Sequence, residues 1–196
     1  MDVEWPIARS ELVLGGQKSG KSARAERLAQ AWLARSPSHR AILIATAEAA
    51  DEEMRARIAR HRRERAARVP ALQTLEEPLR LAAAIAAHSR PDTLLVVDCL
   101  TLWLTNLLMP ASGCASNRAT AVDAQEQTAL LLGAIRAAAG PLVLVSNEIG
   151  LGVIPLGPGV RAFVDALGQL NQRVAQVCAR VTLMAAGLPL TLKESA

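Results

Sequence analysis

The chain has 196 residues, a formal net charge of +4, a hydrophobic fraction of 51% and an aromatic fraction of only 2%. That length buries a sizeable core in one domain, and the core must be aliphatic. The mildly basic balance suits a phosphorylated substrate, whereas the lack of Tyr and the single Phe leave little to stack on bases and argue against a nucleic-acid partner. The three cysteines, Cys99, Cys114 and Cys178, have no metal-ligand spacing, and no leader-like run opens the chain, so they read as reduced thiols of a cytoplasmic protein. The longest apolar stretch, 128–145, is interrupted by Arg136 and by Gly140-Pro141. It reads as a helix end and a buried strand, with no membrane span.

Residues 1–10 read as a short, loosely held N-terminal extension, followed by one catalytic domain over 11–196. A strand is expected at 11–15. It runs into Gly15-Gly16-Gln17-Lys18-Ser19-Gly20-Lys21-Ser22, which fits Gly-x4-Gly-Lys-[Ser/Thr], the phosphate-binding loop. Glycines let successive N–H groups turn inward as an anion nest, and the helix expected from Lys21 to about residue 35 adds the partial positive charge of its N-terminus. Lys21 is placed to reach the terminal phosphates and the Ser22 hydroxyl to ligate Mg²⁺ or another divalent cation.

The run 41–46 is continuously apolar, the pattern of a strand covered on both faces. A charged helix is expected over 51–67. Its Met54, Ile58 and His61 fall on one side at helical spacing, with Arg57 and Arg65 a turn either way from His61. A basic helix is usually a solvated face with Glu53–Arg57 and Arg60–Glu64 pairs. Here His61 extends the apolar stripe inward, and neighbouring cations disfavour imidazolium, leaving a ring nitrogen free as a nucleophile. A helix over 77–88, with Pro78 in its first turn, and a buried strand over 93–98 follow.

Asp98 ends that strand, where a second acidic group would meet Mg²⁺, directly or through water; capping of the next helix, 100–109, is the ordinary alternative. On that helix Thr101, Thr105 and Asn106 read either as packing groups or as substrate contacts. Residues 110–118 read as a loop and 119–139 as a helix. After a strand at 141–146, Asn147 and Glu148 form a polar pair at a strand end, suited to a ligand or to a self-bonded turn. The loop 150–159 holds four glycines and two prolines, too broken for an element and suited to a lid over substrate. A helix over 160–179, a strand over 180–185 and a return strand over 188–193 complete the pattern. Alternating strands and helices give an α/β fold, a doubly wound and mostly parallel sheet with helices on both faces and an antiparallel C-terminal edge. Ligands bind such sheets at the carboxyl ends of the strands.

Taken together these segments resemble one family, the bifunctional adenosylcobinamide kinase / adenosylcobinamide-phosphate guanylyltransferases of cobalamin biosynthesis. The resemblance is carried by the loop 15–22, by Ala45-Thr46-Ala47, and by Arg57-Ile58-x-x-His61-x-x-x-Arg65. It continues in Thr74-Leu-Glu76-Glu-Pro78, Asp98-Cys-Leu-Thr101-x-Trp-x-Thr-Asn106, and Asn147-Glu148-x-Gly150-x-Gly152-x-x-Pro155. It implies a P-loop NTPase domain of RecA-like type and two reactions: phosphoryl transfer from ATP or GTP to adenosylcobinamide, then attack of a histidine on GTP and passage of GMP to adenosylcobinamide phosphate. On this resemblance His61 is the guanylyl-carrying nucleophile, and Lys21 is the other catalytic residue. The nucleotide contacts include the loop together with Thr46, Ala47, Glu48, Arg65, Glu76 and Asp98, and Ser22 and Asp98 meet the metal. Arg57, Thr101, Asn106, Asn147 and Glu148 fall to the substrate. It further implies a homo-oligomer, with a trimer as the expected state. The chain departs from the family pattern in having Gln17-Lys18 for an Ala-Arg pair, which keeps a cation but loses a planar guanidinium, and Leu72 for a tryptophan. A P-loop kinase of another small alcohol, with a structural His61, is the alternative; a nucleotide-driven switch or nucleic-acid ATPase using the Arg-rich helix is a more distant one. For the general base of the kinase step the sequence offers only Glu148.

Overall fold

The computed structural model describes residues 6–48, 52–109, 121–153 and 155–195. Residues 1–5 of the extension, Asp51, the 110–118 loop with Cys114, and the side chains of Glu53, Met54 and Arg57 lie outside the described residues. The elements in order are β1 (Ser10–Gly15), α1 (Lys21–Ala34), β2 (Arg40–Ala45), α2 (Glu52–Arg68), β3 (Leu72–Glu76), α3 (Leu81–His88), β4 (Thr93–Asp98), α4 (Leu100–Leu108), α5 (Ala121–Ala137), β5 (Leu142–Val145), α6 (Pro158–Val177), β6 (Arg180–Ala185) and β7 (Leu188–Glu194). The strands form one seven-stranded sheet in the order β3-β2-β4-β5-β1-β6-β7. Every pairing is parallel except β6 with β7.

Period-two alternation divides the core. Leu12 and Leu14 of β1, Leu95 and Val97 of β4, and Leu142 and Leu144 of β5 face a layer built from α3, α4, α5 and α6, with Leu81, Ile85, Trp103, Leu131, Ile135, Leu167 and Leu170 buried there. Their neighbours Val13, Leu94, Val96, Val143 and Val145 face Ala25, Leu28, Ala29 and Trp32 of α1. Both faces are covered, so these strands read as unbroken apolar runs. Each fully buried Leu, Ile or Val contributes on the order of 1.5–3 kcal/mol relative to exposure. Helix α2 joins the α1 side through Arg68, which donates from Nε and Nη2 to the two oxygens of Glu26 at 2.6 and 3.0 Å.

The structure differs from the sequence reading at two elements. Strand β3 was not foreseen; it is an edge strand that exposes Gln73, Thr74 and Glu76, so it carries no apolar signature. Helix α3 begins at Leu81, not at residue 77. The Glu77 carboxylate accepts the N–H groups of Leu79 and Arg80 at 3.2 and 2.8 Å. The carbonyls of Pro78 and Leu79 are meanwhile taken by Asn106 and by the Trp103 indole of α4, so 77–80 are held in a turn. His39 and His88 are half-buried; His39 stacks on Trp32 with ring centroids 3.9 Å apart.

The described part of the N-terminal segment is fixed. Arg180 donates to the Pro6 carbonyl at 2.6 Å and the Leu142 N–H to that of Arg9 at 3.0 Å, and β1 starts at Ser10. Behind the sheet's first strand lies a buried ionic group. Glu11, 1% exposed, accepts from Arg24 Nε at 2.7 Å and Thr182 Oγ1 at 2.8 Å, and Arg180, which also pairs with Glu194, lies 3.7 Å from its other oxygen.

Candidate active site

The phosphate loop leaves β1 and turns into α1 at the carboxyl edge of the sheet. Gly15 has φ +149°, and a Cβ there would sit 2.5 Å from both the Met184 carbonyl and Ser19 Oγ; only glycine fits. Gly20 has φ +105° and would press on Gly187 at 3.1 Å. Gly187 belongs to the two-residue β6–β7 turn, Ala186-Gly187, where both φ are positive, as the tight hairpin requires. The Gly187 N–H donates to the Ser19 carbonyl at 3.0 Å. The C-terminal hairpin thus braces the phosphate loop, a contact with no signal in the sequence because its partners lie at opposite ends of the chain.

Lys21 is buried and folds back onto the loop, donating from Nζ to the carbonyls of Gly15 at 2.9 Å and Gly16 at 2.6 Å. Burial lowers its pKa, opposed by Cys99 and Asp98. The Ser19 hydroxyl is buried with no hydrogen-bond partner among the described residues. Gly16, Gln17 and Lys18 are exposed and Ser22 is half-buried at the second position of α1.

Asp98 closes β4 in register with Ala45 on one side and Val145 on the other. Burial pushes its carboxyl above the ordinary value; the charges of Arg65, His61 and Lys21 pull it back, and Glu26 adds to the rise. Asp98 therefore sits where the fields of the phosphate loop and of α2 overlap. Arg65 is buried and donates to Thr74 Oγ1 at 3.2 Å. His61, a turn earlier, is exposed, which corrects the expectation that it continues an inward-facing stripe: this face of α2 lies over the sheet edge instead of the core. The Arg60–Glu64 pair does not form; Arg62 pairs with Glu76 across to β3. Arg57 lies outside the described side chains.

Ser22 and Asp98 offer hard oxygen donors of the kind Mg²⁺ takes, and Mg²⁺ is commonly held by one or two such groups plus phosphates and water. Among the described residues no three His, Cys, Asp or Glu side chains gather into a cage of their own.

Several of the other expected ligand-contact residues tie neighbouring segments together. Thr46 is 0% exposed; its hydroxyl donates to the Cys99 carbonyl at 2.7 Å and accepts the Cys99 N–H at 2.9 Å, pinning the residue after Asp98. Asn106 donates to the carbonyls of Thr46 and Pro78 at 2.7 and 3.1 Å, tying the ends of β2 and β3 to α4. Thr101 Oγ1 accepts the Asn147 N–H at 3.0 Å. Asn171 of α6 donates to the Asn147 carbonyl at 3.0 Å and accepts from Ser146 Oγ at 2.7 Å. Glu148, half-buried, donates its N–H to the Gly15 carbonyl at 3.1 Å and accepts from the Gly150 N–H at 3.2 Å. Ala47 and Glu48 are half-buried just past β2.

A mostly parallel sheet with a glycine loop leading into a helix, and a strand-end carboxylate on the same edge of the sheet, defines a P-loop NTPase-like α/β fold. The flagellar accessory protein FlaH of Methanocaldococcus jannaschii shares that fold, with a TM-score of 0.51 at 11% identity, covering 97% of this chain and 80% of that one. Residues 11–192 match the family described as cobinamide kinase / cobinamide phosphate guanyltransferase, and the chain belongs to it. The bifunctional adenosylcobalamin biosynthesis protein CobP of Pseudomonas aeruginosa is 47% identical over 184 residues, covering 93% of this chain and 96% of that protein. The CobU protein of the same description from Escherichia coli is 33% identical over 187 residues, covering 93% and 98%.

Proposed function

We propose that this chain phosphorylates adenosylcobinamide with ATP or GTP and then transfers GMP from GTP to the resulting phosphate, with His61 as the covalent carrier. What supports the reading is the phosphate loop with its buried Lys21 at the end of β1 and Asp98 at the end of β4, on the same edge of the parallel sheet, in a chain of this family. Lys21 swings from the Gly15 and Gly16 carbonyls onto the β- and γ-phosphates. In the kinase step the terminal hydroxyl of the aminopropanol arm attacks the γ-phosphorus, its proton leaves to solvent or to Glu148, and the nucleoside diphosphate departs. In the guanylyl step a ring nitrogen of His61 attacks the α-phosphorus of GTP. The bond to the bridging oxygen breaks, and pyrophosphate leaves with the electron pair. An oxygen of the acceptor phosphate then displaces His61 to give adenosylcobinamide-GDP. Exposure of His61 leaves it free to meet a nucleotide, and Arg65 supplies charge stabilisation beside it. A divalent cation at Ser22 and Asp98 would neutralise phosphate charge.

We also read residues 11–196 as one catalytic unit acting in the cytoplasm. Leu188 and Leu190 on one side of the edge strand β7, with Leu192 at its register shift, all more than half exposed, support a homo-oligomer, with a trimer expected. Scattering-based mass determination tests that state. The functional test is product analysis with adenosylcobinamide, GTP and Mg²⁺. Wild type forms the phosphate and then the GDP adduct, whereas His61→Ala stops at the phosphate. A His61→Ala enzyme that still makes the GDP adduct removes the assignment.

A further inference from the structure

Beside the phosphate loop an open-sided groove of about 520 Å³ lies between the β5–α6 loop and one face of α6. Its helix wall is Arg161, Asp165, Gly168, Gln169 and Gln172, spaced so that they share one face. Arg161 ties the facing loop to the helix, donating to the carbonyls of Pro155 and Leu156 at 3.2 and 2.6 Å. Ile149 and Val153 of the loop line the groove at 39% and 97% exposure, and their chain neighbours Leu151 and Leu156 are 80% and 94% exposed. Its loop wall starts at Ile149 and Gly150, directly after Glu148, whose N–H donates to the Gly15 carbonyl of the phosphate loop at 3.1 Å. None of the nucleotide machinery described above uses it.

We propose that this groove seats the corrin of the acceptor, aiming its aminopropanol arm past Glu148 at the phosphate loop. This rests on the cobinamide reading above. Cobinamide is a broad apolar macrocycle rimmed with primary amides. The groove offers the matching pair of surfaces: exposed aliphatic side chains for the ring, and the amides of Gln169 and Gln172 with the Asp165 carboxylate for the rim. A nucleotide asks for neither. Gly168 keeps the floor low. A Cβ added there meets nothing within 4 Å, so the glycine, which costs a helix interior about 1 kcal/mol relative to alanine, leaves space that a larger side chain would fill.

The test is steady-state kinetics of the intact enzyme with adenosylcobinamide and GTP as separately varied substrates, for wild type, Gly168→Leu and Gln172→Ala, with circular dichroism as the folding control. Gly168→Leu is expected to raise the cobinamide KM roughly tenfold or more, and Gln172→Ala about threefold or more, with the GTP KM and the saturating kcat within about twofold of wild type. A cobinamide KM unchanged in both variants overturns the proposal while leaving the function intact. If Gly168→Leu does not fold, an unchanged KM in Gln172→Ala overturns it by itself. Wild type that turns over GTP but never cobinamide overturns the functional reading and the groove together.

Discussion

Thr46 shows how much a single side chain decides here. Its hydroxyl is both donor and acceptor to the Cys99 backbone, so Thr46→Val, nearly isosteric, leaves a buried N–H and a buried carbonyl unpaired. The expected cost is about 1–3 kcal/mol in urea unfolding, with a loss of kcat for both reactions because Asp98 loses its brace; unchanged stability would show that the hydroxyl is dispensable. At this scale the sequence is legible where the chemistry is local. Gly15, Gly20, Lys21 and Ser22 announce a phosphate loop because the motif is contiguous. The roles of Thr46 and Asn106 were hidden because their partners, Cys99 and Pro78, are distant in sequence and nearby only in the folded sheet. Cys178 carries a pH consequence. Burial is the main reason its thiol is pushed up to about 12, so the folded state holds the proton more tightly than the unfolded chain. Its contribution to stability is therefore complete below the ordinary thiol value of 9.0 and is lost as pH rises towards about 12. Alkylation mapped by mass spectrometry at pH 8 should leave Cys178 unmodified until denaturant is added.

Among the elements, the β6–β7 hairpin is the least obvious participant in the site. Gly187, at φ +80°, closes the turn and donates to the Ser19 carbonyl. Gly187→Val should strain that turn by roughly 1–2 kcal/mol and weaken binding of a fluorescent GTP analogue. Unaltered nucleotide affinity in a folded variant would show that the hairpin does not brace the loop. The buried strands β1, β2, β4 and β5 were readable from apolar runs alone, since being covered on both faces leaves no polar alternation. Strand β3 was not, because an edge strand with three exposed polar residues looks like a loop. The start of α3 was misplaced for a related reason: Glu77 and α4 hold 77–80 with hydrogen bonds that no helical periodicity records.

For the whole molecule, a doubly wound parallel sheet was legible from alternation of elements, but its order was not. Strand β5 lies between β1 and β4, and that placement sets Asp98 across the sheet edge from Lys21. The ionic group of Glu11, Arg24, Arg180 and Glu194 was equally hidden, since it joins the first strand to the last two. Glu11→Ala removes the buried carboxylate that accepts from Arg24 and Thr182 and faces Arg180, and should lower unfolding free energy by about 3–5 kcal/mol; a loss under about 1 kcal/mol would mean that water and the remaining partners, such as Glu194 for Arg180, neutralise the arginines. The same geometry makes the account's central claim, that one sheet edge brings a loop-bound triphosphate to a histidine on α2. Incubation of the protein with GTP and Mg²⁺, followed by peptide mass mapping under neutral conditions, tests it most directly. An acid-labile GMP on the peptide containing His61, absent from His61→Ala, is predicted. GMP on another residue, or no adduct in an enzyme that still makes the GDP product, would contradict it.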